Sequence, residues 1–360
     1  MSEKVRVGVI GCGAGRFHAS RYASLEDVEL VALAGLEQDR CRMVAEQYNI
    51  PHTYGDYTEL IARPDIDGVS ICVPNNLHAP MTIAALEAGK HVLVEKPLAT
   101  SVAEGQAMRE AAARAGRVLM VVFNYRFRND SQILKRYIEA GNLGEVYFAH
   151  AGWLRDQGIP VGASGWFTDK SRSGGGCLID LGVHMLDLTL WLMGNPRVLS
   201  VSASTYAALG PRGRGLFPGQ RFRGEMANFD VEDLVTAFLR LETGTTLVLE
   251  VSWAGYTQRG DRFFVHLWGD EGGAEMNVLN YVHEDTVRFY TDVEGTRTEI
   301  CPQVTGDDEM SVNSEFVRAI RQGKAVSPTV GEGLHVLRII EAIYRSAAEG
   351  REVTIEADSV

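Results

Sequence analysis

Cysteine is scarce and poorly spaced for cross-linking or metal chemistry. Cys12, Cys41, Cys72, Cys177 and Cys301 are scattered over 360 residues, odd in number and without a C-x-x-C pair. That pattern argues against a disulfide framework and a zinc site, and most of the five read as small buried hydrophobes. Basic residues are also in deficit. The 35 Lys+Arg against 47 Asp+Glu give a formal net charge of −12. Neutralising phosphates takes an excess of Lys and Arg, so the acidic balance argues against nucleic acid or an anionic membrane as partner. No apolar run approaches the roughly 18–20 residues of a membrane span. A charged-then-apolar leader is missing too: Met1-Ser2-Glu3-Lys4 runs straight into a strand-like segment. The expected compartment is therefore the cytoplasm. Internal repeats and low-complexity tracts are absent. What is present, 45% hydrophobic and 23% charged residues, is the composition of an ordinary globular protein. At about 100–200 residues per domain, the length fits two domains or one large one.

The first third alternates short apolar runs with helix-like segments. The runs are Val5–Ile10, Val28–Ala34, Gly68–Val73, His91–Glu95 and Val118–Phe123. Helical patterns at about Arg16–Ser24, Asp39–Tyr48, Ala79–Ala88 and Val102–Ala115 separate them. Continuous apolar strands alternating with helices read as βαβ units on a parallel sheet covered on both faces. After about residue 124 the rhythm changes. A helix at Ser131–Ala140 precedes more alternating runs at Val146–Leu154, Val198–Tyr206, Val231–Leu241, Thr245–Trp253, Arg262–Gly269 and Thr286–Tyr290. These predict a mostly antiparallel sheet. Gly210–Gly224, carrying Arg212, Arg214, Arg221 and Arg223, reads as a long loop. Helices at about Glu309–Gln322 and Glu332–Ala348 follow, the second with Thr329 as N-cap and Gly350 just past its end.

Three places carry chemistry. The first run opens directly into Gly11-Cys12-Gly13-Ala14-Gly15-Arg16. A glycine turn between a strand and a helix suits a dinucleotide: one glycine permits the turn, the next lets the backbone approach a pyrophosphate, and the helix offers amide donors. The third glycine arrives one residue earlier than in G-x-G-x-x-G. The acid expected at the end of the second strand is replaced by Gly35, with Glu37 two residues on. Glu37 suits ribose hydroxyls, whereas Arg40 and Arg42 suit a 2′-phosphate. NAD and NADP both remain open, and the carboxylate, which repels a phosphate, tips the reading to NAD. Second, Lys96 stands between Glu95 and Pro97 at the end of a buried run, at the carboxyl edge where open α/β sheets bind ligands. It can stabilise a developing alkoxide, or be an ordinary loop lysine. Third, Asp180 and His184 are spaced i, i+4 in the apolar stretch after Gly174-Gly175-Gly176, read as a loop passing into a helix. They share one face of a buried helix. A carboxylate beside an imidazole makes a general base near neutrality, or a satisfied structural pair. Nothing in the spacing supplies a third metal ligand.

Several motifs occur together: Pro74-Asn75-Asn76-Leu77-His78, Ala88-Gly89-Lys90-His91-Val92, Glu95-Lys96-Pro97-Leu98-Ala99, Asn124-Tyr125-Arg126-Phe127, and Gly174–Gly176 through Asp180-Leu181-Gly182-Val183-His184. Over essentially the whole chain they resemble the glucose–fructose oxidoreductase, inositol dehydrogenase and rhizopine catabolism family (Gfo/Idh/MocA). The resemblance implies an α/β fold class: an N-terminal Rossmann doubly wound parallel sheet over 1–123, then a C-terminal α/β domain with a large open, mostly antiparallel sheet over 124–360. The helix at about 332–348 is expected to pack back toward the first domain. NAD(P)-dependent oxidation or reduction of a sugar, sugar derivative or cyclitol is implied, by a homodimer or homotetramer joined through the C-terminal sheet. The implied cofactor residues are Gly11, Gly13, Ala14, Gly15, Arg16, Glu37, Arg40, Pro74, Asn75, His78, Glu95, Lys96 and Asn124. His184 is implied as acid/base, Asp180 as its orienting partner, and Lys96 as the ligand of the reacting oxygen. Tyr125 and Arg126 complete the implied substrate set. Apart from the resemblance, Trp153, Trp166 and Trp253 can stack on a sugar ring or be core residues, Trp166 being favoured by its place in the loop before Asp180, and Tyr256 is a weaker candidate. Asp187, one turn past His184, supports that residue or caps a neighbour. A transient redox step, an aldehyde or imine reduction, or a non-catalytic cofactor sensor are the alternative functions.

Overall fold

The computed structural model describes residues 4–161, 165–219, 229–304, 311–324 and 326–356. Arg221 and Arg223 of the arginine-rich stretch lie outside the described residues. The chain divides into two compact units, Met1–Asn124 with Met310–His335, and Tyr125–Glu309 with Val336–Val360.

In the first unit the elements run β1 (Val5–Ile10), α1 (Gly15–Ala23), β2 (Val28–Ala34), α2 (Gln38–Tyr48), β3 (His52–Tyr54), α3 (Tyr57–Ile61), β4 (Gly68–Ile71), α4 (His78–Glu87), β5 (His91–Val94), α5 (Val102–Ala115) and β6 (Leu119–Val121). The sequence reading missed β3 and α3, which are too short to show a period. The six strands lie in the order β3-β2-β1-β4-β5-β6, all parallel. β4, β5 and β6 are buried at every position, as helices on both faces require. Local chemistry sets the helix ends. Ser101 caps α5 by accepting from the Glu104 amide, and Gly116, at φ +61°, ends it. The strand order reverses between β1 and β4, so their carboxyl ends flank the crevice where such sheets bind ligands.

The second unit contains α6 (Asn129–Glu139), β7 (Val146–Arg155), α7 (Lys170–Ser173), α8 (Val183–Leu192), β8 (Val198–Tyr206), β9 (Leu234–Leu241), β10 (Thr246–Ser252), β11 (Asp261–Gly269), β12 (Gly273–Leu279), β13 (Val287–Val293) and β14 (Thr296–Ile300). After α9 (Val312–Gln322) and α10 (Val330–Glu349), β15 (Val353–Thr354) joins its edge. The sheet order is β14-β13-β12-β11-β7-β10-β9-β8-β15. Only β7 and β10 pair in parallel among the described strands of this sheet. α8 packs on β7 and β11, and α6 on β12. Lys170–Leu192 is long and apolar enough in composition to cross a membrane, contrary to the sequence reading, but 89% of its apolar window is buried inside the protein. It is core.

Three departures from the sequence reading have plain causes. β9 begins at Leu234 and not at Val231, because the Asp233 carboxylate accepts from the amides of Ala208, Leu209 and Gly210 at 3.2, 2.7 and 2.7 Å. Residues 310–335, expected in the second domain, belong to the first unit. There Phe316 is fully buried, and it and Ile320 close on Gly68 at the start of β4. Finally, Thr329 and Glu332 form a reciprocal cap at the start of α10, Glu332 N donating to Thr329 Oγ1 at 3.3 Å and Thr329 N to Glu332 Oε2 at 2.7 Å. The helix therefore starts two residues before the expected 332.

Candidate active site

In the first unit, the glycine turn leaves β1 at its carboxyl end. Gly11 and Gly15 are demanded by the chain itself. A Cβ at Gly11, where φ is +96°, would lie 2.1 Å from the Cys72 carbonyl oxygen, and one at Gly15 would lie 2.7 Å from Val9 Cγ1. Gly13 is different: its Cβ would meet nothing closer than Arg40 Nη1 at 3.8 Å. The fold has room for a Cβ there, so packing within the chain does not account for the glycine. Ala14 gives α1 no side-chain cap, and the first turn holds no acid. The amides and dipole of the helix start thus suit an anion. Arg16 is exposed, its guanidinium 4.7 Å over the Phe17 ring. These residues fit the pyrophosphate of a dinucleotide.

The end of β2 corrects the reading of the cysteines. Cys12 and Cys41 are joined by a disulfide, while Cys72 and Cys177 remain buried thiols and Cys301 an exposed one. Position 35, where the fingerprint places an acid, lies against that bond. A Cβ on Gly35 would lie 2.9 Å from Cys41 Sγ and 3.2 Å from Cys12 Sγ. The nearby charges are Glu37 and Arg40, paired with each other at 2.6 Å and largely exposed. Arg42 pairs with Asp39.

Lys96 follows β5 at the carboxyl edge of the sheet and is half-buried. Its neighbours are scaffolding. Glu95 Oε2 accepts from the Lys96 amide at 3.1 Å, and Oε1 pairs with His18 Nε2 at 3.0 Å. His18, which the sequence reading missed, also meets Ser70 Oγ and Asn313 Nδ2, each at 3.1 Å. Burial lowers its pKa, but the Cys72 sulfur and the Glu95 carboxylate outweigh burial and raise it above the ordinary imidazole value. Burial raises the pKa of Cys72 in turn. His78 is fully buried, its two ring nitrogens 2.7 Å from the Pro97 carbonyl oxygen and 3.0 Å from that of Val73, and its one N–H donates to one of them. Burial lowers its pKa. Glu95 and His78, expected as cofactor ligands, thus point into the protein and hold the Lys96 loop. Pro74 precedes a single 3₁₀ turn, Asn75–Leu77, in which Asn75 is buried. Asn124 is exposed at the end of the first unit.

In the second unit, Asp180 and His184 are not on one uniform α-helix. Leu178–Gly182 is a π turn feeding α8, a deviation that clusters at functional sites. Asp180 Oδ2 accepts from Trp253 Nε1 at 2.8 Å. Glu232, also missed from sequence, accepts from the amides of Gly176 and Leu178 and from Tyr344 Oη, all at 3.0 Å. Burial pushes its pKa up. Gly176 is a close-approach residue and not a flexible one: a Cβ there would lie 1.9 Å from the Glu232 carbonyl oxygen. The only sequence signal for Glu232 was an acid pair, Glu232-Asp233, inside an apolar run.

His184 is 8% exposed with Nδ1 buried. Its ring lies 4.8 Å from Tyr125 at 64° and 5.8 Å from Trp153 at 43°. Burial holds the Tyr125 phenol protonated. The structure thus brings Tyr125 to His184, but directs Arg126 elsewhere. Arg126, 2% exposed, is locked to Asp187 through Nε–Oδ2 at 2.8 Å and Nη2–Oδ1 at 2.5 Å. It anchors α8, which explains Asp187 and displaces the substrate role expected of Arg126. Asp187→Leu would remove the carboxylate that pairs a buried guanidinium and is expected to cost about 3–5 kcal/mol in urea unfolding; an unchanged midpoint would refute the anchor. Trp153 (2% exposed, bonded to Asp261 Oδ1 at 2.5 Å) and the fully buried Trp253 are core residues, not sugar platforms. Trp166 is half-buried and stacked on Phe167 at 3.8 Å, and Tyr256 is 88% exposed.

Residues 5–123 match the family model described as an oxidoreductase family with an NAD-binding Rossmann fold, and residues 131–275 match the GFO/IDH/MocA C-terminal domain. The chain belongs to the Gfo/Idh/MocA oxidoreductase family. This Gfo/Idh/MocA protein is 33% identical to D-glucoside 3-dehydrogenase of Escherichia coli, over 98% of each chain. It is 28% identical to levoglucosan dehydrogenase of Pseudarthrobacter phenanthrenivorans, over 96% of this chain and 97% of that one. It is also similar to the solved structure of a levoglucosan dehydrogenase complexed with NADH and L-sorbose, at a TM-score of 0.86 and 26% identity, over 99% of this chain and 100% of that one. As a member of this family it is an NAD(P)-dependent oxidoreductase.

Proposed function

We propose that this enzyme moves a hydride between a secondary alcohol of a sugar, sugar derivative or inositol and a nicotinamide. The carrying observation is His184, set at the junction of a π turn and α8 against Tyr125 and Trp153. The relatives' names, dehydrogenases of a glucoside and of an anhydrosugar, support the substrate class. Bound nicotinamide supplies the hydride acceptor or donor. His184 takes the hydroxyl proton at Nε2 or returns it. Asp180, steadied by the Trp253 indole, orients the imidazole. Lys96 lowers the energy of the developing alkoxide through its ammonium, and Tyr125 shapes the wall beside His184.

Gly11, Gly13, Ala14, Gly15 and Arg16 receive the pyrophosphate. Glu37 serves the adenosine ribose. Arg40 is already neutralised by Glu37, so a 2′-phosphate would have to displace that pairing, which favours NAD. The oligomer is a homodimer or homotetramer through the second unit's sheet, where Trp268 and Tyr147 are 48% and 56% exposed and Trp268 packs on Phe148 at 4.8 Å. The compartment is cytoplasmic. Titration by nicotinamide fluorescence is expected to show NADH binding tighter than NADPH, and a panel of sugars and inositols to give absorbance of reduced cofactor. If neither nucleotide binds, the reading fails.

A further inference from the structure

We propose that Cys12 and Cys41 form a thiol–disulfide modification site that governs dinucleotide binding. The disulfide holds the phosphate turn against α2, and its reduction loosens both. The proposal rests on reading Gly11–Arg16 as the phosphate turn.

Both ends of the bond lie in elements that meet the dinucleotide. Cys12 stands between Gly11, whose amide donates to Ala34 O at 2.7 Å, and Gly13, which the fold itself does not require. Cys41 sits in the first turn of α2, one residue after Arg40, whose Nη1 is the nearest atom to a side chain built at Gly13. Its amide donates to Glu37 O at 3.0 Å. The cross-link therefore couples the pyrophosphate turn to Glu37 and Arg40 at the ribose end. The Cα atoms are 5.4 Å apart, in the range of an ordinary bridge. Gly35 completes the argument. The position where a ribose-binding acid is expected cannot carry a Cβ while the two sulfurs lie 2.9 and 3.2 Å away. The glycine at 35 and the cysteines at 12 and 41 are thus one structural feature.

Both cysteines are buried, Cys41 completely and Cys12 to 6% exposure beside exposed Gly13 and Ala14. Reduction therefore requires the turn to open, at the surface a pyrophosphate would occupy. The thiolate of a dithiol attacks a disulfide sulfur, forms a mixed disulfide and leaves as a cyclic disulfide; two electrons and two protons pass to Cys12 and Cys41. A small disulfide such as oxidised glutathione reverses the step and releases two small thiols. Linkage then requires that bound NADH protect the bond by the same factor by which the bond favours NADH.

The test uses the full-length protein after oxidised glutathione or dithiothreitol treatment, with both cysteines assigned by alkylation and peptide mass. The NADH Kd of the oxidised protein is expected to be about tenfold lower than that of the reduced protein, about 1.4 kcal/mol. Cys41→Ser should match the reduced protein under both treatments, and NADH should slow reduction of the wild-type bond. Equal Kd values in both states, even with a lowered Tm on reduction, would make the bond a plain staple and overturn the proposal. Cys12 and Cys41 still alkylating after oxidation would overturn it too. Gly13→Val separates the underlying reading: NADH bound at wild-type Kd by that variant means the turn is not the phosphate site, and the proposal falls with it. NADH binding lost in Gly13→Val, with equal Kd values in the two redox states, refutes the modification site alone.

Discussion

His184→Gln is expected to lower kcat by about 10²–10⁴-fold, the usual contribution of a positioned acid/base, with KM and Tm little changed. Glutamine is the informative replacement because the ring is packed. With Tyr125 at 4.8 Å and Trp153 at 5.8 Å, His184→Ala would open a cavity and confuse chemistry with stability. Asp180→Asn is the companion: its amide oxygen can still accept from the Trp253 indole, which donates to Asp180 at 2.8 Å. The turn stays in place while the charge that favours an imidazolium is removed. Steady-state kinetics over pH with thermal melts decides the matter. Wild-type kcat in the His184→Gln enzyme would remove His184 from the reaction.

Gly13→Val is expected to raise the Kd for NADH roughly a hundredfold, about 2.8 kcal/mol, without lowering Tm. The basis is the asymmetry among the turn glycines. The fold has 3.8 Å of clearance for a Cβ at Gly13 but only 2.7 Å at Gly15. Gly15→Val is the contrasting variant: overpacking against Val9 should cost about 1–3 kcal/mol of stability. Fluorescence titration and chemical denaturation separate the two effects. Unimpaired NADH binding by Gly13→Val would mean that the pyrophosphate lies elsewhere.

Much of the fold was readable because its signals are local. β2, α5 and β8 occur at the residues expected, since apolar runs, caps and turn glycines are written within a dozen positions. The groups proposed for catalysis, Lys96, Asp180 and His184, stand out in the sequence by type and spacing for the same reason. Their supports do not. His18 reaches Glu95 across 77 positions, and Glu232 reaches Gly176 across 56. Neither separation leaves a periodicity to detect. Arg126 looked like a substrate ligand because its buried partner, Asp187, lies 61 residues away. The Cys12–Cys41 bond spans 29 residues, and cysteine arithmetic that looks for short spacings and even counts passes over it.

The amino-acid order alone determined where most of the longer strands and helices lie, the change from parallel to largely antiparallel pairing, and a glycine turn at the end of β1. Those follow from hydrophobic period and backbone sterics, which act between near neighbours. Tertiary structure alone decided that α9 packs with the first sheet, that two of the tryptophans are core, that Gly35 yields its place to a disulfide, and which polar side chains face inward. Those outcomes depend on burial. Whether a charge or a ring is exposed is settled only when distant segments close over it and every covered polar group has found a partner.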